Sequence, residues 1–560
     1  MKKILLYSFM VTLLITISGC DKKLNEINVN PNGVDLSSAN VNLLLPGILS
    51  RVSEHYTDLD FSYTSGVVQH LQRDGWFTGF NDYLWSPEDW VKWYDVLRNN
   101  DLLIKNANRD GFVFHEGIGL VVRAFVYGNI ADLWGDAPYT QSMKGDEGVT
   151  QPVYDSQEEI YKGVLADLER AAELFSKNDT RGIISSNDLI YAGDAVKWYK
   201  FANSLRLRYA MRLSTKLPQQ AEQIIKTVYN SQVYIDKSSD DANVEYLGNT
   251  ANDSWKVASQ FDTDGGSNYR RIKIGKGFLD LLKSWNDPRI YVWVQPVHCQ
   301  WVEDLNLSVA TDDAIRKDGV LQSVKSLTDL EYRAEIAKGH KFTRHYNPTK
   351  LGYKLDTDLY VGIGIGLKDP DSYNLNPTPG QVVQNQHVSQ LNLAYTEKKG
   401  GFLKRRIASA SETYFILAEA AFKGWITGGA EGHYNNGIKN SLQVWGVESS
   451  YNTLIAKPAV KFNNTLEQLI EQKWIASWNN TVESWMDFRR LGLPKLKPGP
   501  GSAQAVLPVR FIYGDNEVKS NEKNLKEALT RLEDTPYSNV RGKNSQWSKP
   551  WLLQGTNKPW

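Results

Sequence analysis

The residues best suited to contact a ligand lie between 73 and 85, where aromatic rings are mixed with hydrogen-bonding side chains. A sugar ring has an apolar face of C–H groups and a polar hydroxyl edge. A site for it needs a flat aromatic ring together with amide, carboxylate or guanidinium groups. Glycines interrupt this segment, and it has no amphipathic period. We therefore predict a ligand-binding loop with these contact residues: Arg73, Trp76, Asn81, Tyr83 and Trp85.

Within this loop, Trp76 and Trp85 are predicted to stack on the sugar, with Arg73 and Asn81 at its hydroxyl edge. The alternative interpretation is that both rings are core anchors of a long loop. A second candidate group lies in the aperiodic middle of the chain, where Trp255 and Tyr269 stand near Asn268 and Arg270.

Residues 262–268 form an oxygen-rich, glycine-kinked stretch, which makes Asp262 and Asp264 candidates for Ca2+ ligands. The stretch lacks the downstream glutamate of an EF-hand loop, and the alternative interpretation is an exposed polar loop. We expect no other cofactor.

Catalytic motifs are absent from the sequence. His115-Glu116 begins like a zinc-protease helix, but Gly119 occupies the position of the second metal ligand. The chain has no Gly-x-Ser-x-Gly elbow and no phosphate-binding loop. The glycine run 362–366 lacks dinucleotide-binding spacing and is expected to serve a tight turn. No carboxylate pair stands out as a glycosidase pair among the 64 acidic residues. We therefore predict that the protein is not an enzyme.

The N-terminus has the pattern of an exported lipoprotein. Lys2 and Lys3 precede an apolar run, residues 4–17, that is too short for a typical membrane span. Small residues then lead to Cys20, as in a lipobox. We predict a signal peptide over 1–19, lipidation of Cys20 and a polar tether over 20–38. The alternative is an ordinary secretory signal that contains a cysteine. The lipid is then the predicted membrane attachment, since no later segment is apolar enough to span.

Charge and cysteine content exclude two further classes. Lys+Arg and Asp+Glu both number 64, so the basic excess that nucleic-acid binding requires is missing. Cys299 is the only other cysteine, and one exported thiol forms no internal disulfide framework. Stability must therefore come from the core.

Helical periodicity dominates both ends of the chain and positions the candidate loop. Apolar residues recur every three or four positions within four predicted helices: 158–175, 194–217, 412–425 and 466–474. A further helix is expected to begin near Pro87, directly after the ligand loop. Residues 235–410 are rich in Gly, Pro, Asn and aromatics and are read as loops with short strands. We predict one mainly α-helical domain over 39–560. Its helical scaffold lies at about 39–235 and 410–535, and its loop-rich ligand region at about 235–410.

Several stretches resemble the SusD/RagB family of nutrient-binding outer-membrane lipoproteins, in the branch described as starch-binding and associating with the outer membrane. The stretches that carry the resemblance are 20–32, 123–125, 132–139, 198, 200–208, 286–289, 411–420, 472–474 and 483–490. Each is weak alone, but together they follow the family's order across nearly the whole chain. The resemblance implies a SusD-like helical fold with tetratricopeptide-like helix pairs.

Most of these stretches are expected to be structural. Asp487 and Arg490 are predicted to pair on one helix face, and Arg206 and Arg208 to tie helices together. The resemblance also implies a TonB-dependent transporter of the SusC type as partner and a location at the cell-surface side of the outer membrane. Asp21 after Cys20 departs from the enterobacterial sorting rule for that membrane, a rule that the resembling lineage does not follow.

The predicted function is capture of an oligosaccharide for delivery to that transporter. Two alternatives stay open at this stage. The same family includes peptide binders, and a secreted hydrolase is a third class. Ring-rich loops favour sugars over peptides, and the missing nucleophile or metal set counts against a hydrolase.

Overall fold

The structure is a computed structural model that describes residues 39–262, 266–380, 385–538 and 542–557. Cys20, with the predicted signal peptide and tether, lies outside the described residues. Helices make up most of the regular structure, which confirms the predicted mainly α-helical fold. Within the described ranges, no helix combines the length and apolarity needed to cross a bilayer.

Helices from the first part of the chain are α1 Val41–Leu59, α2 Ser65–Val67, α3 Val91–Asp110, α4 Val113–Trp134, α5 Gln157–Ser176, α6 Ala195–Arg212 and α7 Pro218–Ser231. A π-helical turn, Asp60–Thr64, joins α1 to α2. The middle of the chain forms short helices: α8 Ser267–Arg270, α9 Lys276–Ser284, α10 Ile290–Trp293, α11 Asp329–Ala337 and α12 Pro348–Leu351. The last part forms α13 Ala410–Phe422, α14 Ala430–Val444, α15 Tyr451–Ile455, α16 Leu466–Ala476, α17 Val482–Leu491, α18 Asp515–Ser520 and α19 Glu522–Thr530.

The strands are short, and most of them lie in the middle of the chain. They are β1 Leu71–Arg73, β2 Ala242–Glu245, β3 Ile272–Ile274, β4 Gln300–Glu303, β5 Arg316–Lys317, β6 Val320–Leu321, β7 Phe342–Tyr346 and β8 Lys404–Ala408. β1 pairs with β3 and β2 with β8, both antiparallel. The remaining four form one sheet in the order β4-β7-β5-β6, in which β4 and β7 run parallel.

Helix boundaries agree with the sequence periodicity at most ends. The helix predicted over 158–175 is α5, and its N-cap residue Ser156 accepts a hydrogen bond from the Glu159 backbone at 3.2 Å. The one predicted over 194–217 ends earlier, at Arg212. Pro218 then starts α7, where a proline without an N–H is tolerated in the first turn.

Consecutive helices pack against each other, as expected for tetratricopeptide-like pairs. The strongest packing joins α3 with α4, α4 with α5, α5 with α6, and α13 with α14. Small residues allow the close approach: a Cβ at Gly117 of α4 would lie 2.8 Å from the Phe175 ring of α5. A single large apolar cluster runs through these helices and includes Trp198 and Trp485, both fully buried.

A buried network of ion pairs joins helices from the first and last parts of the chain. Arg208 and Arg212 of α6 bind Glu412 at 2.6 Å and Glu483 at 2.5 Å. Arg212 also lies 3.1 Å from Asp132 at the end of α4. Four segments distant in sequence therefore meet at one charged centre. Arg208 thus ties helices together, as predicted.

A second part of the network lies between α13, α16 and α17. Arg490 forms two contacts of 2.6 Å with Glu419, and the predicted pair with Asp487 is present at 2.9 Å. Lys473 binds the same Asp487 at 2.7 Å. These side chains are almost completely shielded from solvent, so each charge depends on its partner.

A stack of aromatic rings packs the middle of the chain against the C-terminal helices. The Trp478 ring lies nearly parallel to Phe278 and Trp293, with interplanar angles of 3° and 11°. His70 packs on Phe278 with ring centroids 4.1 Å apart. Burial lowers the pKa of His70 to about 3, so this histidine is neutral in the stack.

We expect Glu419→Ala to lower the free energy of unfolding by about 3–5 kcal/mol, because it leaves the buried Arg490 guanidinium undercompensated. The control is Glu158→Ala, which removes an exposed pair with Lys162 and should cost about 0–1 kcal/mol. Urea unfolding of both variants, followed by circular dichroism, measures the difference. Equal midpoints for the two variants would show that the network contributes little to stability.

Candidate ligand-binding site

The antiparallel pair β1–β3 brings the two predicted ligand segments side by side. Leu71, Gln72 and Arg73 lie opposite Ile274, Lys273 and Ile272. Beyond the strand, the Asp74 backbone donates to the Arg271 carbonyl at 3.0 Å. The loop after β1 and the segment before β3, about 200 residues apart in sequence, therefore form one surface.

The glycine run 362–366 lies against this strand pair rather than forming an isolated turn. A Cβ at Gly362 would come within 2.6 Å of the Lys276 Cα, so only glycine permits this approach. The Gly366 N–H donates to the Gln72 side-chain oxygen at 2.9 Å, and the Lys276 N–H donates to the Ile363 carbonyl at 2.8 Å. The glycine run therefore packs against β1, the strand from which the ligand loop begins.

Side chains of the loop hold its backbone in a fixed shape. The Asn81 amide bonds the Arg73 N–H at 2.9 Å and the Arg73 carbonyl at 2.7 Å. The Asp82 carboxylate accepts from the Gly79 and Leu84 backbones at 2.7 and 3.0 Å. Gly79 itself adopts a φ of 80°, a conformation that glycine favours. Asn81 is buried, so it shapes the loop rather than facing a ligand.

Trp76 presents its ring to solvent, with 54% of the residue exposed. The guanidinium of Arg271 lies 4.3 Å from the ring centroid, which is a cation–π distance. Trp76 also has a φ of 49°, in the left-handed region that bulky residues rarely adopt. The surrounding hydrogen bonds must hold the residue in this costly conformation. We call Trp76 with Arg271 the Trp76 platform.

A buried ion pair lies next to the platform. Asp74 and Lys273 are both shielded from solvent, with 3.5 Å between the carboxylate and the ammonium group. Among the described residues, no other side chain forms a hydrogen bond with either charged group. Burial raises the pKa of Asp74 to about 6, opposed by Lys273, and burial also lowers the pKa of Lys273. The pair fixes the point at which the loop leaves β1.

Tyr83 and Trp85 belong to the core. Both are at most 2% exposed. Trp85 makes edge contacts with Tyr63, Trp485 and Phe511. Of the predicted stacking rings, Trp76 therefore has the exposure that stacking requires, and Trp85 is a core anchor as in the alternative interpretation. A ring enclosed by other rings has no free face for a sugar.

Arg73, Trp255 and Tyr269 lie behind the platform. Arg73 places its guanidinium 4.0 Å from the Phe80 ring centroid and donates to the Phe61 carbonyl at 2.9 Å. Burial, reinforced by Arg271, lowers the pKa of Arg73 to about 10. Trp255 is 7% exposed and contacts Phe61 edge-on. Tyr269 is 1% exposed, and its hydroxyl donates to the Leu391 carbonyl. Trp255 and Tyr269 are too buried to stack on a ligand. The guanidinium of Arg73, predicted at the hydroxyl edge, is instead engaged by the Phe80 ring and the Phe61 carbonyl.

The predicted calcium ligands are only partly within the described residues. The Asp262 carboxylate accepts a hydrogen bond from the Asn268 backbone at 2.8 Å. Asp264 lies outside the described residues. In the described part of the chain, no group of three or more His, Cys, Asp or Glu side chains is arranged to hold a metal ion.

Three members of the site were not predicted from the sequence: Arg271, Lys273 and Asp74. Asp74 and Arg271 directly follow residues that the composition singled out, but their roles depend on the β1–β3 register. That register joins residues 71–73 to 272–274. A single sequence carries no signal for a pairing of two three-residue strands so far apart.

The family model described as "Starch-binding associating with outer membrane" matches residues 33–335 and 352–514. This is well over half of the chain, so the protein belongs to this SusD-like family of nutrient-binding outer-membrane proteins. The resemblance predicted from the order of the motifs is thereby confirmed. No curated protein matches the chain.

Solved structures of the same fold are similar over nearly the whole chain. A SusD homologue from Bacteroides fragilis superposes with a TM-score of 0.69 at 20% identity, covering 92% of this chain and 100% of that one. A chitin-binding protein gives 0.66 at 23% identity, covering 92% and 99%. A chitin-binding SusD homologue from Flavobacterium johnsoniae gives 0.63 at 18% identity, covering 91% and 99%. These likenesses establish the fold.

We expect Trp85→Ala to reduce stability by about 3–5 kcal/mol, because it opens a cavity among packed rings. Trp76→Ala should change stability by less than about 0.5 kcal/mol, because its ring faces solvent. Thermal melting of both variants beside the wild type provides the measurement. A large loss for Trp76→Ala would mean that this ring anchors the fold.

Proposed function

We propose that this protein is a lipid-anchored, surface-facing binding protein of the outer membrane. In this proposal it captures an oligosaccharide on the Trp76 platform and delivers it to a TonB-dependent transporter of the SusC type. It binds its ligand and does not transform it. Attachment to the membrane is through a lipid on Cys20.

The exposed Trp76 ring is the observation that supports the proposal most directly. A large indole face open to solvent, in a costly backbone conformation, is unusual outside functional sites. Arg271 covers part of the ring and supports its orientation. The remaining open indole surface suits the apolar face of a sugar, which is the contact that aromatic side chains make well.

The polar groups near the platform suit the hydroxyl edge of a sugar. Thr78 is exposed on the same loop, and Arg271 is half-buried beside the ring. Guanidinium N–H groups donate to hydroxyl oxygens, and a threonine hydroxyl both donates and accepts. A glycan is favoured over a peptide because a flat aromatic ring recognises the C–H face of a sugar rather than a peptide backbone. The family description as starch-binding supports the same class of ligand.

Losing the Trp76 ring should weaken binding by about tenfold to a hundredfold, corresponding to roughly 1–3 kcal/mol of apolar contact. The measurement is calorimetric titration of Trp76→Ala with α-glucan and chitin oligosaccharides and with mixed peptides. The matched control is Leu84→Ala, which removes an exposed apolar side chain of the same loop without removing a ring. Trp76→Phe, which keeps a smaller ring, should lose less than Trp76→Ala.

Each outcome of this titration has a distinct meaning. Wild-type affinity of Trp76→Ala for every bound sugar would place the binding site elsewhere on the molecule. Binding of peptides with no binding of any oligosaccharide would replace glycan capture by peptide capture. Equal losses for Trp76→Ala and Leu84→Ala would indicate a change in the loop rather than the loss of a stacking ring.

Membrane attachment and the transporter are tested together. Affinity isolation from mildly solubilised membranes should recover a large barrel protein with the wild-type chain. Cys20→Ala should leave the chain unprocessed or release it from the membrane fraction, and recovery of the barrel should fall with it. Membrane association and processing that survive the Cys20→Ala change would contradict the lipid anchor. Repeated isolation of the wild-type chain alone at low detergent would contradict a stable transporter complex.

A further inference from the structure

A long cleft runs along one face of α3, away from the Trp76 platform. It has a volume of about 910 Å³ and lies between this helix, the loop 138–152 and α18. Nine residues of α3 line it: Val91, Tyr94, Asp95, Arg98, Asn99, Asp101, Leu102, Lys105 and Asn106. These positions recur every three or four residues, so one entire stripe of the helix faces the cleft. We call it the α3 cleft.

The wall of the α3 cleft favours an apolar occupant. Val91 is 51% exposed, and Leu102 and Met143 are half-buried along its length. Two pairs of charges in the wall are already matched within α3: Arg98 with Asp95 at 2.6 Å, and Lys105 with Asp101 at 2.7 Å. Charges that are already paired attract an ionic partner only weakly. Burial of the exposed apolar side chains beneath an occupant would be favourable.

The described chain begins at one end of this cleft. The Ala39 carbonyl accepts a hydrogen bond from the Asn106 side chain at 2.9 Å, and Asn106 itself lines the cleft. Ala39, the first described residue, therefore lies at this end of the cleft. No other chain terminus meets the cleft in the described part of the molecule, since the C-terminal residues up to 557 pack near α5.

The length and pattern of the preceding sequence fit the cleft. From Asn106 to Val91 the helix rises by about 22 Å, at roughly 1.5 Å per residue. About seven residues of extended chain, at roughly 3.3 Å each, cover that distance. The seven residues before Ala39 are 32–38, in which Val34 and Leu36 alternate with Gly33, Asp35 and Ser37. In an extended chain both apolar side chains point to the same side.

We propose that residues 32–38 bind in the α3 cleft as an extended segment, with Val34 and Leu36 against Leu102 and Met143. With the lipid on Cys20 that the proposed function includes, twelve residue steps remain between the lipid and Asn32. Their greatest reach is about 40 Å. The segment then shortens the tether and fixes the side of the domain that faces the membrane.

Hydrogen exchange on the full-length protein, extracted from membranes in mild detergent, tests this binding. Amides of 33–38 should exchange at least about tenfold more slowly in the wild type than in Leu36→Asp or Leu102→Lys. The two controls are Leu24→Asp, which lies in the tether outside the bound residues, and Leu43→Lys, which lies on α1 outside the cleft and is 77% exposed. Both controls should leave the exchange of 33–38 unchanged.

Two results would overturn the inference. In the first, residues 33–38 exchange in the wild type as fast as an unstructured chain. In the second, they are protected but Leu102→Lys has no effect, so the segment binds elsewhere. The mass of the N-terminal peptide reports lipidation of Cys20 in the same experiment. Failure of the lipid anchor is therefore distinguishable from failure of the cleft.

Discussion

The structure depends on the pairing of buried charges between helices from opposite ends of the chain. Arg208 and Arg212 of α6 are almost fully buried and depend on Glu412 and Glu483 for compensation. An isolated buried charge is strongly unfavourable, so these helices share one interior only when all of them are in place. Two of the short strands, β2 and β8, pack against α1 of this scaffold and therefore need little stability of their own.

The candidate site shows how such a scaffold presents one ring to solvent. β1 and β3 are each three residues long and would not be stable as an isolated pair. They persist because the glycine run 362–366 and the aromatic stack around Trp478 pack behind them. The result is a rigid support for the exposed Trp76 ring, whereas the Tyr83 and Trp85 rings of the same loop are buried in the core. Rigidity matters for a binding loop because less conformational freedom is lost when a ligand binds.

Much of the helical framework is predictable from the sequence, and the reasons differ between regions. Amphipathic periodicity located α5 and α13 to within a few residues because each buries one stripe. Composition identified the loop around Trp76 but did not separate Trp76 from Trp85. Each lies two residues after a hydrogen-bonding side chain, Asp74 or Tyr83, in an aperiodic stretch, and only tertiary packing encloses Trp85. Arg271 was missed for a related reason, since its place under Trp76 depends on strand register. Tertiary pairing of this kind leaves no local signal in one sequence.

The charged centre also sets an order of events during synthesis. Arg212 is made about 270 residues before Glu483, its partner at 2.5 Å. At roughly 5–20 residues per second, the ribosome needs about 14–54 s to synthesise the residues between them. Throughout this interval the first helices lack the carboxylates that make burial of their arginines favourable. The N-terminal half therefore cannot complete its interior early. Folding of the domain is therefore expected to be completed only after Glu483 has been synthesised.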